Sequence, residues 1–364
     1  MKVRIVQPIV PEYRKALFDG LCEIRSWETE VLASDIFGGD FSVKLDKAKY
    51  DYGHSFRRVG PFLWQKGITL KGLTRGDVLV VCGDIHQLSS LWVALTARFC
   101  GVKVVWWGHH ATATSSLLST RIRLWIAKKL SDVMLVYTYT GVDYLEQRGF
   151  ACGRVFATGN TINQEPINDA ISGYDGKDMF SGHPGVLCCS VLREKVKLDL
   201  AIRALGDYRL KDVRMAVIGD GPMRQKYEEV AKETKVADRI LWLGATRNQE
   251  DMAPWFLSAK CFVYPGAVGL SILHSMSYGL PVVVHSNPAH QMPEYEIMED
   301  GRTGVCFNEG DVQDLANKLA WLIQNEGARR EMSAYCRKVA LEKYSMNQMV
   351  ENFARAVEAA HDVC

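Results

Sequence analysis

The chain has 364 residues, 48% of them apolar and 24% charged, so it is a globular protein long enough for two domains of ordinary size. A formal net charge of +2 gives no support to nucleic-acid binding by bulk charge. The ten cysteines are scattered without a CxxC pair, which argues against a zinc site and for reduced, buried thiols.

Residues 3–6 read as a strand, 12–23 as a helix with Ala16, Leu17 and Leu21 inward, and 27–33 as a second strand. Residues 34–60 are polar and glycine-containing and read as loops with a short edge strand. Residues 62–73, with Phe62, Leu63 and Trp64, read as a helix. The continuously apolar DVLVVC at 77–82 predicts a strand covered on both faces. Helices at 88–100, 115–130 and 141–148 alternate with strands at 103–107, 133–137 and 154–157. Residues 163–184 are rich in Asp, Gly, Asn and Pro without periodicity and read as a linker. A second alternation follows, with strands at 186–189, 213–218, 240–243, 261–264 and 282–284 and helices at 199–206, 223–234, 250–258 and 270–278. A helical tract closes the chain. The pattern predicts an α/β protein of two Rossmann-like, doubly wound domains facing each other across a cleft, with ligands at the carboxyl ends of their strands. No signal peptide precedes the first strand and no apolar run is long enough to span a bilayer, so a cytoplasmic location is expected.

Residues 261–285 form a strand–glycine loop–helix–strand unit. Gly266, Ala267, Val268 and Gly269 are small enough for a ligand to approach the backbone, and Gly279 with Pro281 ends the helix. The amides of Gly269, Leu270 and Ser271 open that helix, where unpaired N–H groups and the macrodipole suit a diphosphate; the plainer reading is a turn. Gly219-Asp220-Gly221-Pro222 follows another strand but lacks the GxGxxG spacing, which counts against a dinucleotide enzyme. Arg193, Lys195 and Lys197 follow a strand end and would neutralise a diphosphate leaving group, or would be a solvated basic loop. His109 and His110 follow an apolar strand, at the cleft end of the first domain. Arg14 lies on the same rim, read as a phosphate contact or as ordinary surface charge. There is no DxD pair for a metal, no GxSxG and no Walker A.

The order of these pieces resembles a known family. Trp107-Gly108-His109-His110 is followed by Asn160-Thr161-Ile162-Asn163, Arg193-Glu194-Lys195, Val217 to Pro222, Leu243-Gly244, Pro265 to Pro281, Pro293-Glu294 and Asp300-Gly301-Arg302-Thr303-Gly304. This series is similar to the family 4 (group 1) retaining glycosyltransferases of the GT-B fold, over nearly the whole chain and most strongly from about 155 to 310. Phosphorylases and nucleotide-sugar epimerases are more distant matches. The resemblance implies an acceptor domain at 1–165, a nucleotide-sugar donor domain at 166–344 and a helix at 345–364 that crosses back to the first domain. It implies a metal-independent, retaining transfer of a sugar from a nucleotide-diphosphate donor to a glycan or glycolipid acceptor, in polysaccharide or glycoconjugate synthesis of the bacterial type. No cofactor is implied. Arg193 and Lys195 (or Lys197 with a one-residue shift) would bind the diphosphate, with Gly219 and the amides of Gly269, Leu270 and Ser271. Gly244, Thr246 and Arg247 would frame the base, and His109 would contact the transferred sugar.

One departure stands out. The family has two glutamates eight residues apart, for the donor sugar and the ribose; here those positions are Gly266 and His274. Glu294 reads either as a carboxylate supplied from the next loop or as a helix-start residue. The departure motivates an alternative, a non-catalytic GT-B subunit that binds nucleotide or sugar within a larger synthase. Arg121, Arg123, Lys128 and Lys129 interleave with apolar residues and predict either peripheral contact with an anionic membrane surface or a core-packed helix with a solvated basic edge.

Overall fold

The computed structural model describes residues 1–24, 26–37, 40–45, 49–51, 53–108 and 117–363. They fall into two compact units, Met1–Asn160 with Met346–Cys364, and Thr161–Ser345.

The first unit runs β1 (Lys2–Val6), α1 (Lys15–Cys22), β2 (Glu28–Leu32), β3 (Ile36–Phe37), β4 (Asp40–Phe41), β5 (Lys49–Asp51), β6 (Phe56–Val59), β7 (Phe62–Gln65), β8 (Val78–Cys82), α2 (Leu88–Phe99), β9 (Lys103–Trp107), α3 (Leu117–Leu130), β10 (Val133–Val136), α4 (Tyr139–Glu146) and β11 (Val155–Ala157). Seven of these strands form one parallel sheet in the order β11-β10-β9-β8-β1-β2-β5. Alternation along each central strand sorts its side chains to two cores. Val78 and Val80 of β8 join Leu17, Phe18 and Leu21 of α1 on one face. Leu79 and Val81 join Val93 and Ala97 of α2, Leu124 and Ala127 of α3 and Leu145 of α4 on the other. A strand buried on both faces has no polar face to show, and hence the unbroken apolar run at 78–82.

The expected helix at 62–73 is absent. Gly60, at φ +60°, turns the chain into Pro61 and a hairpin of β6 and β7 forms instead. From Phe62 to Gln65 the burial alternates as in a strand, and Gly67 and Gly72 at φ +78° and +89° prevent a helix further on.

The second unit runs α5 (Glu165–Ser172), β12 (Gly185–Cys189), α6 (Leu198–Ala204), β13 (Arg214–Ile218), α7 (Arg224–Glu233), β14 (Ile240–Gly244), α8 (Gln249–Ser258), β15 (Cys261–Tyr264), α9 (Ser271–Ser277), β16 (Val282–His285), β17 (Gly304–Phe307), α10 (Val312–Gln324) and α11 (Glu326–Glu342). Its six strands are parallel in the order β14-β13-β12-β15-β16-β17, so the winding reverses between β12 and β15. The stretch expected as a linker holds α5, which buries Ile167 and Ala170. Two apolar positions three apart are enough to dock a short helix, but too few to show as periodicity among Asn, Asp and Gly.

The last helix, α12 (Met346–His361), belongs to the first unit. Met349, Phe353, Ala356, Val357 and Ala360 are buried in the same core as α1, and the Phe353 ring meets Trp107 edge-on at 5.1 Å. Among the described residues no helix is long and apolar enough to cross a membrane.

Candidate functional site

In a doubly wound sheet the loops leaving the two strands at the reversal diverge and leave a crevice at their carboxyl ends. In the second unit these are residues 190–197 after β12 and 265–270 after β15. The loops are locked together through backbone. The Ala267 amide donates to the Lys195 carbonyl at 3.1 Å, and a Cβ on Gly266 would stand 1.9 Å from that same oxygen. Position 266 therefore admits no side chain while the 190–197 loop keeps its path. Gly219 is fixed in the same way: its φ is +131° and a Cβ there would lie 1.9 Å from the Ser190 carbonyl oxygen. Its amide donates to Gly244, itself at φ +76°, at 2.7 Å.

Among the described residues the amides of Gly269, Leu270 and Ser271 donate to no protein acceptor, and all three residues are partly exposed. The preceding amide, Val268, is taken by the Gln291 side chain at 2.8 Å, whose NH₂ donates in turn to the His285 carbonyl at 2.9 Å. Gln291 thus clamps the loop to the end of β16. It is 9% exposed, and nothing in the sequence but a polar residue between Pro288 and Pro293 marks it.

Arg193 and Lys195 are exposed, and among the described residues neither side chain has a hydrogen bond or ion pair. The Arg193 carbonyl is pinned by the Tyr227 hydroxyl at 3.1 Å. Lys197 differs: its Nζ donates to Glu309 Oε1 at 3.2 Å, and its backbone sits in the left-handed region at φ +50°. Glu309 also accepts from Asn287 at 2.7 Å and bonds His290 Nδ1 at 2.8 Å. The Asn287 and His290 hydrogen bonds hold its carboxyl well down, at about 2. Of the alternative lysines, Lys195 is the one whose charge is uncommitted among the described residues.

His274 on α9 is half-buried between Phe256 and Tyr278, with ring centroids at 4.7 and 5.6 Å. Its Nε2–H and the Tyr278 hydroxyl both reach Gln249 Oε1, at 2.9 and 2.8 Å. Burial lowers its pKa to about 4, so the ring is neutral near pH 7. Glu294 is 9% exposed in the 3₁₀ turn Pro293–Ile297, and its Oε2 lies 3.7 Å from where a Cβ on Gly269 would be. Thr246 is at the entry to α8: its hydroxyl accepts from the Asn248 amide at 3.2 Å and donates to Asp251 at 3.3 Å, beside the exposed Arg247.

In the first unit, His109 and His110 lie outside the described residues. Arg14 is not ordinary surface charge. Its guanidinium is 4.6 Å from the Trp107 ring and 5.3 Å from the Tyr137 ring, donates to the Tyr137 hydroxyl at 2.9 Å and to Gln7 at 3.3 Å, and meets no carboxylate among the described residues.

The second unit thus gathers two uncommitted cations, three open amides and a carboxylate at the winding reversal, a set suited to a diphosphate with a neighbouring polyol. Residues 178–339, within this unit, match the family model of the glycosyl transferases group 1. The sulfoquinovosyl transferase SQD2 of Arabidopsis thaliana is 33% identical over 141 residues, 37% of this chain and 26% of that one. A GDP-mannose-dependent α-(1-6)-phosphatidylinositol monomannoside mannosyltransferase of Mycolicibacterium smegmatis is 26% identical over 175 residues, 44% of each chain. This chain spans between about a quarter and under half the length of the curated relatives it matches. Anabaena Alr3699/HepE, solved in complex with UDP, superposes with a TM-score of 0.69 at 15% identity over 98% of this chain and 100% of that one. The fold is GT-B.

Proposed function

We propose that the chain is a glycosyltransferase that moves a sugar from a nucleotide-diphosphate donor to a glycan or glycolipid acceptor, with retention and without a metal. The observation that carries this reading is the pairing, among the described residues, of uncommitted charge with open amides: Arg193 and Lys195 lie on a loop that the Ala267 amide ties to the loop bearing Gly269, Leu270 and Ser271. As the bond from the anomeric carbon to the phosphate oxygen breaks, negative charge accumulates on the diphosphate. Fixed cations and N–H groups stabilise that charge without reorganising. The acceptor oxygen forms the new bond on the departing face, and its proton passes to a phosphate oxygen of the leaving group. Gly219 brings backbone close to the phosphates, Gly244, Thr246 and Arg247 frame the base, and His109 is assigned to the sugar on the resemblance alone.

Gly266 is the residue that lets the two crevice loops touch. We assign the sugar-facing carboxylate to Glu294, next to Gly269. His274, neutral and bonded to Gln249, offers a ribose hydroxyl only its remaining nitrogen.

The first test is nucleotide binding followed by transfer. UDP leads the panel because Anabaena Alr3699/HepE was solved with it. A diphosphate at a hundred times its Kd should raise stability by about 2.7 kcal/mol, unaffected by EDTA. Arg193→Ala should lower kcat by about 10²-fold or more with the fold intact. Full activity in that variant would overturn the assignment. Tight nucleotide binding with neither donor hydrolysis nor transfer would favour the non-catalytic subunit, the reading that the missing glutamate pair motivates.

A further inference from the structure

Net charge conceals a strong asymmetry. Between residues 53 and 131 stand eleven lysines and arginines against two aspartates, +9 in a chain whose total is +2. The same stretch supplies α2 and α3, neighbours on one face of the first unit's sheet, which bury Val93, Ala94, Ala97, Leu124 and Ala127 inward. Their outward faces are not polar. Trp92, Leu95 and Phe99 of α2 are 58, 40 and 84% exposed, and Ile122 and Trp125 of α3 are 50 and 63% exposed. At spacings of three and four these side chains form one stripe per helix.

On α3 the stripe is bracketed by exposed Arg121 before it and by Lys128 and Lys129 after it, and neither helix contains an acidic residue. The β6–β7 hairpin extends the surface. Its Gln65 amide donates to Ser89 of α2 at 3.0 Å, and its tip exposes Arg57, Arg58, Val59 and Phe62.

Large exposed apolar groups in contiguous rows mark an interaction surface. We propose that this face of the first unit docks on an anionic lipid bilayer, with Trp92, Phe99 and Trp125 entering the interface and the cations meeting lipid headgroups. The charge selects this occupant. A second copy of the chain would bring the same positive field against itself, whereas a bilayer accepts both the cations and the exposed apolar side chains. Tryptophan suits the level where headgroups meet acyl chains, since its ring is apolar and its N–H is not. The proposal is independent of the transferase reading, because docking needs no donor.

The test is co-sedimentation of the full chain, without nucleotide, on vesicles of phosphatidylcholine alone and with 30% phosphatidylglycerol. Binding to the anionic vesicles only, weakened by salt, is expected. Trp92→Ser with Trp125→Ser, and separately Arg121→Glu with Lys129→Glu, should each lower the bound fraction about tenfold or more. Trp321→Ser, 44% exposed in the second unit, should change nothing. Circular dichroism checks that each variant is folded, and brominated acyl chains should quench wild-type fluorescence more than that of the double serine variant. Absence of binding to anionic vesicles, or equal binding by the folded variants, would overturn the proposal. So would a dimer that Trp92→Ser with Trp125→Ser dissociates, which would make this face a self-interface.

Discussion

Two glycines three residues apart do different work. Gly266 faces the Lys195 carbonyl with no room for a Cβ, whereas a Cβ on Gly269 would meet its nearest atom at 3.7 Å. Gly266→Ala should therefore cost about 1–3 kcal/mol, from backbone that must shift, and should weaken nucleotide binding by moving the 190–197 loop. Gly269→Ala should be tolerated to within about 0.5 kcal/mol. Urea midpoints for both variants check the contrast. The same argument applies to Gly266→Glu: installing the residue that the resemblance expects should abolish nucleotide binding. The absence of the glutamate could be read in the sequence. The backbone that a side chain there would meet could not, because Lys195 lies 71 residues earlier in the chain.

At the level of elements, the Gln249 side chain of α8 is shared, inside an aromatic cluster, by His274 of α9 and by Tyr278 just after it. Burial holds the His274 pKa at about 4 against an ordinary 6.5. The unfolded chain then binds more protons than the native one between those values, so the contribution is complete above pH 6.5 and is lost as pH falls towards 4. A shift of that size corresponds to about 3 kcal/mol. His274→Phe, which cannot titrate, should flatten the stability profile between pH 6.5 and 4 by that order; an unchanged acid limb would show that the ring is solvated. The sequence placed His274 on its helix. It could not show that Gln249 occupies Nε2, since hydrogen-bond partners across two helices depend on how they dock.

For the molecule as a whole, the chain leaves its first unit at Asn160 and returns to it at Met346. Phe353 is fully buried against Trp107, so Phe353→Ala should destabilise by about 3–5 kcal/mol. Hydrogen exchange should speed up across 1–160 and 346–363 and stay near wild type across 161–345. Uniform loss of protection would mean that the two units unfold as one. Trp107 is also the ring over which Arg14 sits, so the closing helix supports the rim of the first sheet.

The sequence by itself determined the α/β alternation, because strands buried on both faces must be apolar throughout and helices must present one apolar stripe. It also determined the glycine loop with its open amides, because helix starts and small residues are local properties. The β6–β7 hairpin was lost to it because Phe62, Leu63 and Trp64 carry no period long enough to oppose a helix, and α5 because two buried side chains make no pattern. Tertiary structure alone decided which lysine stays uncommitted, why position 266 must be glycine, how Gln291 holds the loop, and that Trp92, Phe99 and Trp125 face outward. Each of these depends on which distant backbone or side chain arrives alongside, and packing between elements sets that where local propensity cannot.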